Sequence, residues 1–133
     1  MLELKGVVHF SIAVSDIEVS RRFYTENLRL ELVRNAPELG MVFLKAGNDY
    51  VILSRSDAPI ARNPKDSRRA HHAFKIDPVK YDESKVWFTS RGVEVFDEED
   101  RKRGVFVGRS FYVCDPDGTV LELIDWDGTT VLG

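Results

Sequence analysis

Apolar and polar positions along this chain alternate in short runs, interrupted twice by a segment with helical spacing. Val7 to Val14 (VVHFSIAV) and His71 to Ile76 (HHAFKI) are β-rich, and each leads through a polar, cap-like stretch into a helix-like segment. Setting His9 on His71 places Phe10, Ile12 and Val14 on His72, Phe74 and Ile76, so the two halves keep one alternation. A strand-like tetrad follows each helix, Leu30 to Val33 and then Val93 to Phe96. Two further strands close each half, Met41 to Lys45 with Tyr50 to Ser54, and Arg109 to Cys114 with Val120 to Asp125. The pattern predicts βαβββ twice, in modules of about 5–55 and 70–127 within one domain spanning 1–133. Two helices for eight strands make this α+β, a curved eight-strand mixed sheet with the helices on its outer face and a site on the uncovered concave face.

Helix one is expected over about Asp16 to Leu28, with Ser15 or Asp16 as N-cap and Ile17, Phe23, Tyr24 and Leu28 on the buried side. Helix two is expected over about Asp82 to Arg91, stopped by Gly92, with Val86, Trp87 and Phe88 as its apolar surface. Asp115-Pro116-Asp117-Gly118 is a strong turn between the last two strands. Ser56 to Arg69, with two prolines and few large apolar residues, reads as the connection between halves.

Side chains alternate across a strand, so His9, Ser11 and Ala13 share the smaller, more polar face of their strand. His71, Ala73 and Lys75 share the equivalent face in the second half, and His72 takes the opposite, packing face. Glu122 sits inside the run Val120-Leu121-Glu122-Leu123-Ile124. A lone carboxylate there is costly, so it calls for an arginine or a metal. Arg109, across the hairpin, is one candidate partner. Two imidazoles and one carboxylate are a normal donor set for a divalent ion with positions left open. Aligning Leu53 with Leu123 puts Ile52 where Glu122 stands, so the first half supplies no fourth ligand.

Composition narrows the classes. Nineteen Lys and Arg against 22 Asp and Glu give a net charge of −3, which argues against nucleic-acid and anionic-membrane binding. The clusters Arg21-Arg22, Arg68-Arg69 and Arg101-Lys102-Arg103 lie near acids such as Asp97 to Asp100 and read as solvated faces. One cysteine, Cys114, permits no intrachain disulfide, and no apolar run approaches a membrane span. A cytoplasmic protein is the expectation.

The runs HFSIAVSDIEVSRRFYTENLRLELV, HHAFKID and GRSFYVCDPDGTVLELI resemble the vicinal oxygen chelate superfamily of glyoxalase I, bleomycin-resistance proteins, extradiol dioxygenases and fosfomycin-resistance enzymes. The resemblance implies paired βαβββ modules and one divalent metal per site held by His9, His71 and Glu122. Fe(II) or Mn(II) is expected first, with Ni(II) or Zn(II) as alternatives. It also implies a homodimer in which His9 serves a metal whose other ligands come from the partner chain. Local motifs are nearest the fosfomycin-resistance type, which places Ser11 and Tyr112 as hydrogen-bonding catalytic residues beside a small oxygen-bearing substrate. Tyr50, Lys75 and Arg109 would bind that substrate, and Glu38 is a candidate general base. The segment after Glu122 lacks the arginine that holds a phosphonate in that group, and the loop at Phe106-Val107 lacks its potassium-binding polar residues, so fosfomycin itself is not the expected substrate. Reaction types consistent with the triad are dioxygenase-like ring cleavage and fosfomycin-type addition or lyase chemistry. The competing class is a metal-free sequestering protein with Trp87, Trp126 and Tyr50 as aromatic walls.

Overall fold

Eight strands form, as the pattern predicts, but in two sheets of four rather than in one hydrogen-bonded layer, and one of them is displaced along the chain. The computed structural model describes residues 1–60 and 68–133; the central part of the Ser56 to Arg69 connection lies outside the described residues. The chain divides into two compact units, Met1–Ala61 and Arg62–Gly133.

The first unit holds β1 (His9–Val14), α1 (Ile17–Arg22), β2 (Glu31–Ala36), β3 (Met41–Ala46) and β4 (Asp49–Arg55), in sheet order β1-β4-β3-β2. Val7 and Val8, read as strand from their alternation, precede β1 and are 79% exposed. The expected face split is present, with Ile12 and Val14 buried while His9, Ser11 and Ala13 are exposed. Asp16 is the N-cap, its Oδ1 accepting from the amides of Glu18 and Val19. The long first helix is shorter than its periodicity implied: after Arg22 it widens into a π turn over Phe23–Asn27. That turn still delivers Phe23 and Tyr24 to the core, with Ser20 from α1, which packs on β3 and β4.

The second unit holds β5 (His71–Lys75), α2 (Tyr81–Ser90), β6 (Phe96–Arg101), β7 (Gly108–Cys114) and β8 (Val120–Ile124), in order β5-β8-β7-β6. Both sheets therefore share one topology, with a parallel outer pair and two antiparallel ones. Gly92, at φ 75°, ends α2 as expected. The buried surface of the helix is Tyr81 and Phe88, which meet the ring of Phe111 edge-on at 5.5 and 6.0 Å. Val86 is exposed and Trp87 only half-buried, because neither lies on the turn-spaced stripe that Tyr81 and Phe88 define. The Asp115 carboxylate accepts from the amides of Asp117 and Thr119, fixing the turn before β8.

The largest departure is β6. The tetrad Val93 to Phe96 is mostly outside it, and the strand is the polar run FDEEDR, whose acids Asp97 to Asp100 the sequence alone places on a solvated face.

Candidate functional site

The second sheet presents two faces. Register places Phe74, Phe111, Leu121 and Leu123 together, the side of Phe111 that α2 covers. On the other face stand His71, Ala73 and Lys75 from β5, Val120, Glu122 and Ile124 from β8, and Ser110 and Tyr112 from β7. His72 falls on the packing side, where burial and the neighbouring His71 lower its pKa.

A β-bulge decides what β6 adds. Phe96 opposes Tyr112, but the next pair is Glu99 with Ser110, so one extra residue is inserted and Asp97 takes φ 52°. Without that insertion Glu98 and Asp100 would occupy the Glu122 face; with it, Glu99 and Arg101 do.

These side chains close a ring. His71 Nε2 lies 3.0 Å from Glu122 Oε1. Glu122 Oε2 accepts from Arg101 Nη2 at 3.1 Å, and Arg101 Nη1 donates to Glu99 Oε2 at 2.7 Å. Glu99 Oε1 accepts from Arg68 Nη1, and the Arg68 carbonyl meets His71 Nδ1. Tyr112 lines the ring: the Arg68 guanidinium stands 4.6 Å over its face, and His71 meets it edge-on at 5.6 Å. The Glu122 side chain is only 8% exposed, so its charge is largely compensated by Arg101 rather than by water. The bond from Arg68 holds the Glu99 carboxyl below its ordinary pKa, and burial followed by the Glu122 charge pushes the Tyr112 phenol up. Tyr112 is therefore a neutral hydroxyl donor at neutral pH.

The donor set fits a cation. A carbonyl has no proton to give, so His71 Nδ1 must be the donor to Arg68, and in a neutral imidazole the Nε2 lone pair then points at a carboxylate oxygen. Two electron-rich atoms 3.0 Å apart need a proton or a metal ion between their charges. A backbone carbonyl fixing the far nitrogen of a histidine is also the usual support of a metal ligand.

The predicted residues are distributed as follows. His71, Glu122 and Tyr112 come together, and Lys75 is exposed on their face. His9, Ser11 and Tyr50 belong to the first unit, where His9 pairs in register with Tyr50 and Ser11 with Ile52. All three are exposed, and Lys45 Nζ stands 5.6 Å over the Tyr50 ring. Among the described residues no group of three or more His, Cys, Asp or Glu could hold a metal by itself. Arg109 does not join Glu122. Strand alternation sends it to the α2 side, where it bonds Asp125 at 2.8 Å, donates to the Pro78 carbonyl and stacks on Tyr81. Glu38 is exposed in a short turn, 3.6 Å from Arg34. Trp126 donates to the Thr129 carbonyl and Trp87 packs with Arg91, so neither is a bare aromatic wall. Arg68, Glu99 and Arg101 were missed. The one signal for them was the demand of Glu122 for a cation.

Fold and site together define a class: paired βαβββ modules with a histidine and a glutamate converging beside a tyrosine. Residues 6–123 match the model of the Glyoxalase/Bleomycin resistance protein/Dioxygenase superfamily, and the chain belongs to that superfamily. Among curated relatives, the glutathione transferase FosA of Serratia marcescens is 32% identical over 90% of this chain and 80% of its own length. The metallothiol transferase FosB of Staphylococcus epidermidis is 28% identical over 92% of this chain and 82% of its own. Among solved structures, the fosfomycin resistance protein FosX of Listeria monocytogenes superposes with a TM-score of 0.75 at 25% identity, covering 96% of this chain and 94% of that one. That Listeria protein has also been solved with Mn(II) and sulfate. The expectation of an enzyme of this superfamily, nearest in its local motifs to the fosfomycin-resistance type, agrees with these findings. No helix among the described residues is long and apolar enough to cross a membrane.

Proposed function

We propose that this chain is a divalent-metal-dependent enzyme that adds a nucleophile to a small oxygen-bearing electrophile, as a homodimer in which His9 of one protomer completes a site with His71 and Glu122 of the other. The observation that carries the reading is the His71–Glu122 pair, two donors aimed at each other with their outer atoms already fixed by Arg68 and Arg101. His9 is exposed on a separate unit and supplies the third donor that this pair lacks. A divalent ion bound there supplies Lewis acidity toward a substrate oxygen. The chain's own groups do the rest: Tyr112 and Ser11 donate hydrogen bonds to the substrate, and Tyr50 forms a wall beside His9. Lys75 balances an anionic group. Arg109 is left out of this assignment because Asp125 holds it on the other face.

Group addition is preferred to ring cleavage because the two curated relatives above are both transferases by name. Mn(II) is the first ion to test and Fe(II) the second. The decisive experiment is complementation. His9→Ala and Glu122→Ala chains are purified, shown singly to hold no Mn(II), then unfolded together and refolded. If the site is shared, random pairing restores roughly a quarter of the parental ion content. No recovery places the site within one chain, and no ion in the parent favours the sequestering alternative. Product formation from fosfomycin with a thiol or with water, followed by phosphorus NMR, then tests the substrate class.

A further inference from the structure

The ring around Glu122 carries an assignment that the metal reading alone does not make. Arg101 engages all three nitrogens of its guanidinium inside the fold: Nε donates to the Phe106 carbonyl at 3.2 Å, Nη1 to Glu99 and Nη2 to Glu122 Oε2. Its side chain is 27% exposed, and it is therefore a fixed cation rather than a surface charge free to meet a substrate. The device that aims it is backbone, since the bulge between Phe96 and Glu99 shifts β6 by one residue and turns Arg101 onto the Glu122 face.

We propose that Arg101 is a positioning residue that occupies Oε2 of Glu122 and reserves Oε1 alone for the metal ion. The assignment rests on the metal reading above and deepens it. Glu122 is presented with its two oxygens already distinguished, Oε2 toward Arg101 and Oε1 toward His71 Nε2. A guanidinium hydrogen-bonded to one carboxylate oxygen holds the carboxylate plane and withdraws negative charge from it. Glu99, bonded on its other side by Arg68, keeps Arg101 from swinging away. The consequence is selectivity. Ions that take many oxygen ligands and carboxylates through both oxygens, Ca(II) above all, are disfavoured. Ions content with one carboxylate oxygen and imidazole nitrogens are favoured.

The test uses the full-length protein with the metal alone as probe. Mn(II) binding is followed by its EPR signal, Ca(II) by competition against it, and the coordination of Co(II) by its visible absorption. In Arg101→Gln, Oε2 is released. The ratio of Ca(II) to Mn(II) affinity is expected to rise about tenfold, and the Co(II) absorption to weaken as the coordination number increases. Arg101→Lys, which keeps the charge but lacks the planar fork, is expected to fall between Arg101→Gln and the parent. Glu99→Gln loosens Arg101 while leaving the three candidate ligands His9, His71 and Glu122 in place, and is expected to move both readouts in the same direction by a smaller amount. It carries the test if Arg101→Gln does not fold. A folded Arg101→Gln or Glu99→Gln protein with an unchanged ion ratio and an unchanged Co(II) spectrum overturns the assignment of Arg101 alone. A parent chain that binds no ion overturns the metal reading with it.

Discussion

Row by row, the two modules use one backbone plan for opposite surfaces. In the first, Ser11, Ile52, Phe43 and Arg34 stand side by side across the sheet; the matching row of the second is Ala73, Glu122, Tyr112 and Phe96. Each last strand of the row carries a bulge, at Leu32/Arg34 and at Phe96/Glu99. What differs is the side chain at the centre. Ile52 asks nothing of its neighbours, whereas Glu122 requires a counter-charge, and the second module supplies it from Arg101 of β6, which Glu99 and, behind it, Arg68 hold in place. A repeated fold thus leaves one face open and builds a fixed charge array on the other, with a few positions deciding between them.

The hydrophobic sides test whether the likeness is energetic as well as topological. Phe111 is fully buried between Tyr81 and Phe88, so Phe111→Ala is expected to cost about 3–5 kcal/mol, the usual range for an aromatic core truncation. Urea denaturation followed by tryptophan fluorescence measures it.

Much of this was legible because burial imposes a period on sequence. Strands with one covered face alternate, so β1, β3, β4, β5, β7 and β8 could be read, and the register puts Ile52 and Glu122 at equivalent positions as the repeat implied. β6 was illegible for the same reason inverted. FDEEDR buries no continuous apolar face, and beyond Phe96 its inward residues are charges satisfied by other charges. The need of Glu122 for a cation could be read from the sequence, but the choice of Arg101 over Arg109 could not. A bulge changes which residues point inward without changing composition, and Arg109 lies one residue out of phase with Tyr112.

The helices anchor differently too. Tyr81 of α2 donates its hydroxyl to the Ser110 carbonyl at 3.1 Å, and burial, then Glu98, raises its pKa to about 12. A raised pKa means that the unfolded chain ionises first, at its ordinary value near 10. Stability is complete below pH 10 and falls as pH rises to 12. The expected loss is about 2–3 kcal/mol. Urea midpoints from pH 9 upward, compared with Tyr81→Phe, isolate it; parallel profiles for the two proteins would contradict the assignment.

Turning the second face into the first sharpens the contrast at its centre. Glu122→Ile copies Ile52 and removes the partner of Arg101, at an expected cost of about 2 kcal/mol, reduced from the fully buried case because Arg101 keeps Glu99 and some water. Adding Arg101→Met should recover most of the loss. If the double variant is as unstable as the single one, the charge array is not what the substitution disturbed.

The smallest effect separates the helix starts. Asp16 caps α1 directly through two amides, each at 3.1 Å, so Asp16→Ala exposes the first turn of a helix only six residues long and is expected to cost about 1 kcal/mol. Asp77 bonds the Val79 amide at 2.9 Å, but it caps a short 3₁₀ turn over Pro78–Lys80 that leads into α2. Proline already fixes part of that turn and α2 is held by Tyr81, so Asp77→Ala should cost about half as much. Thermal melts of the two variants side by side decide it. A larger loss at Asp77 would mean that the lead-in turn, rather than the buried side of α2, fixes where the second helix begins.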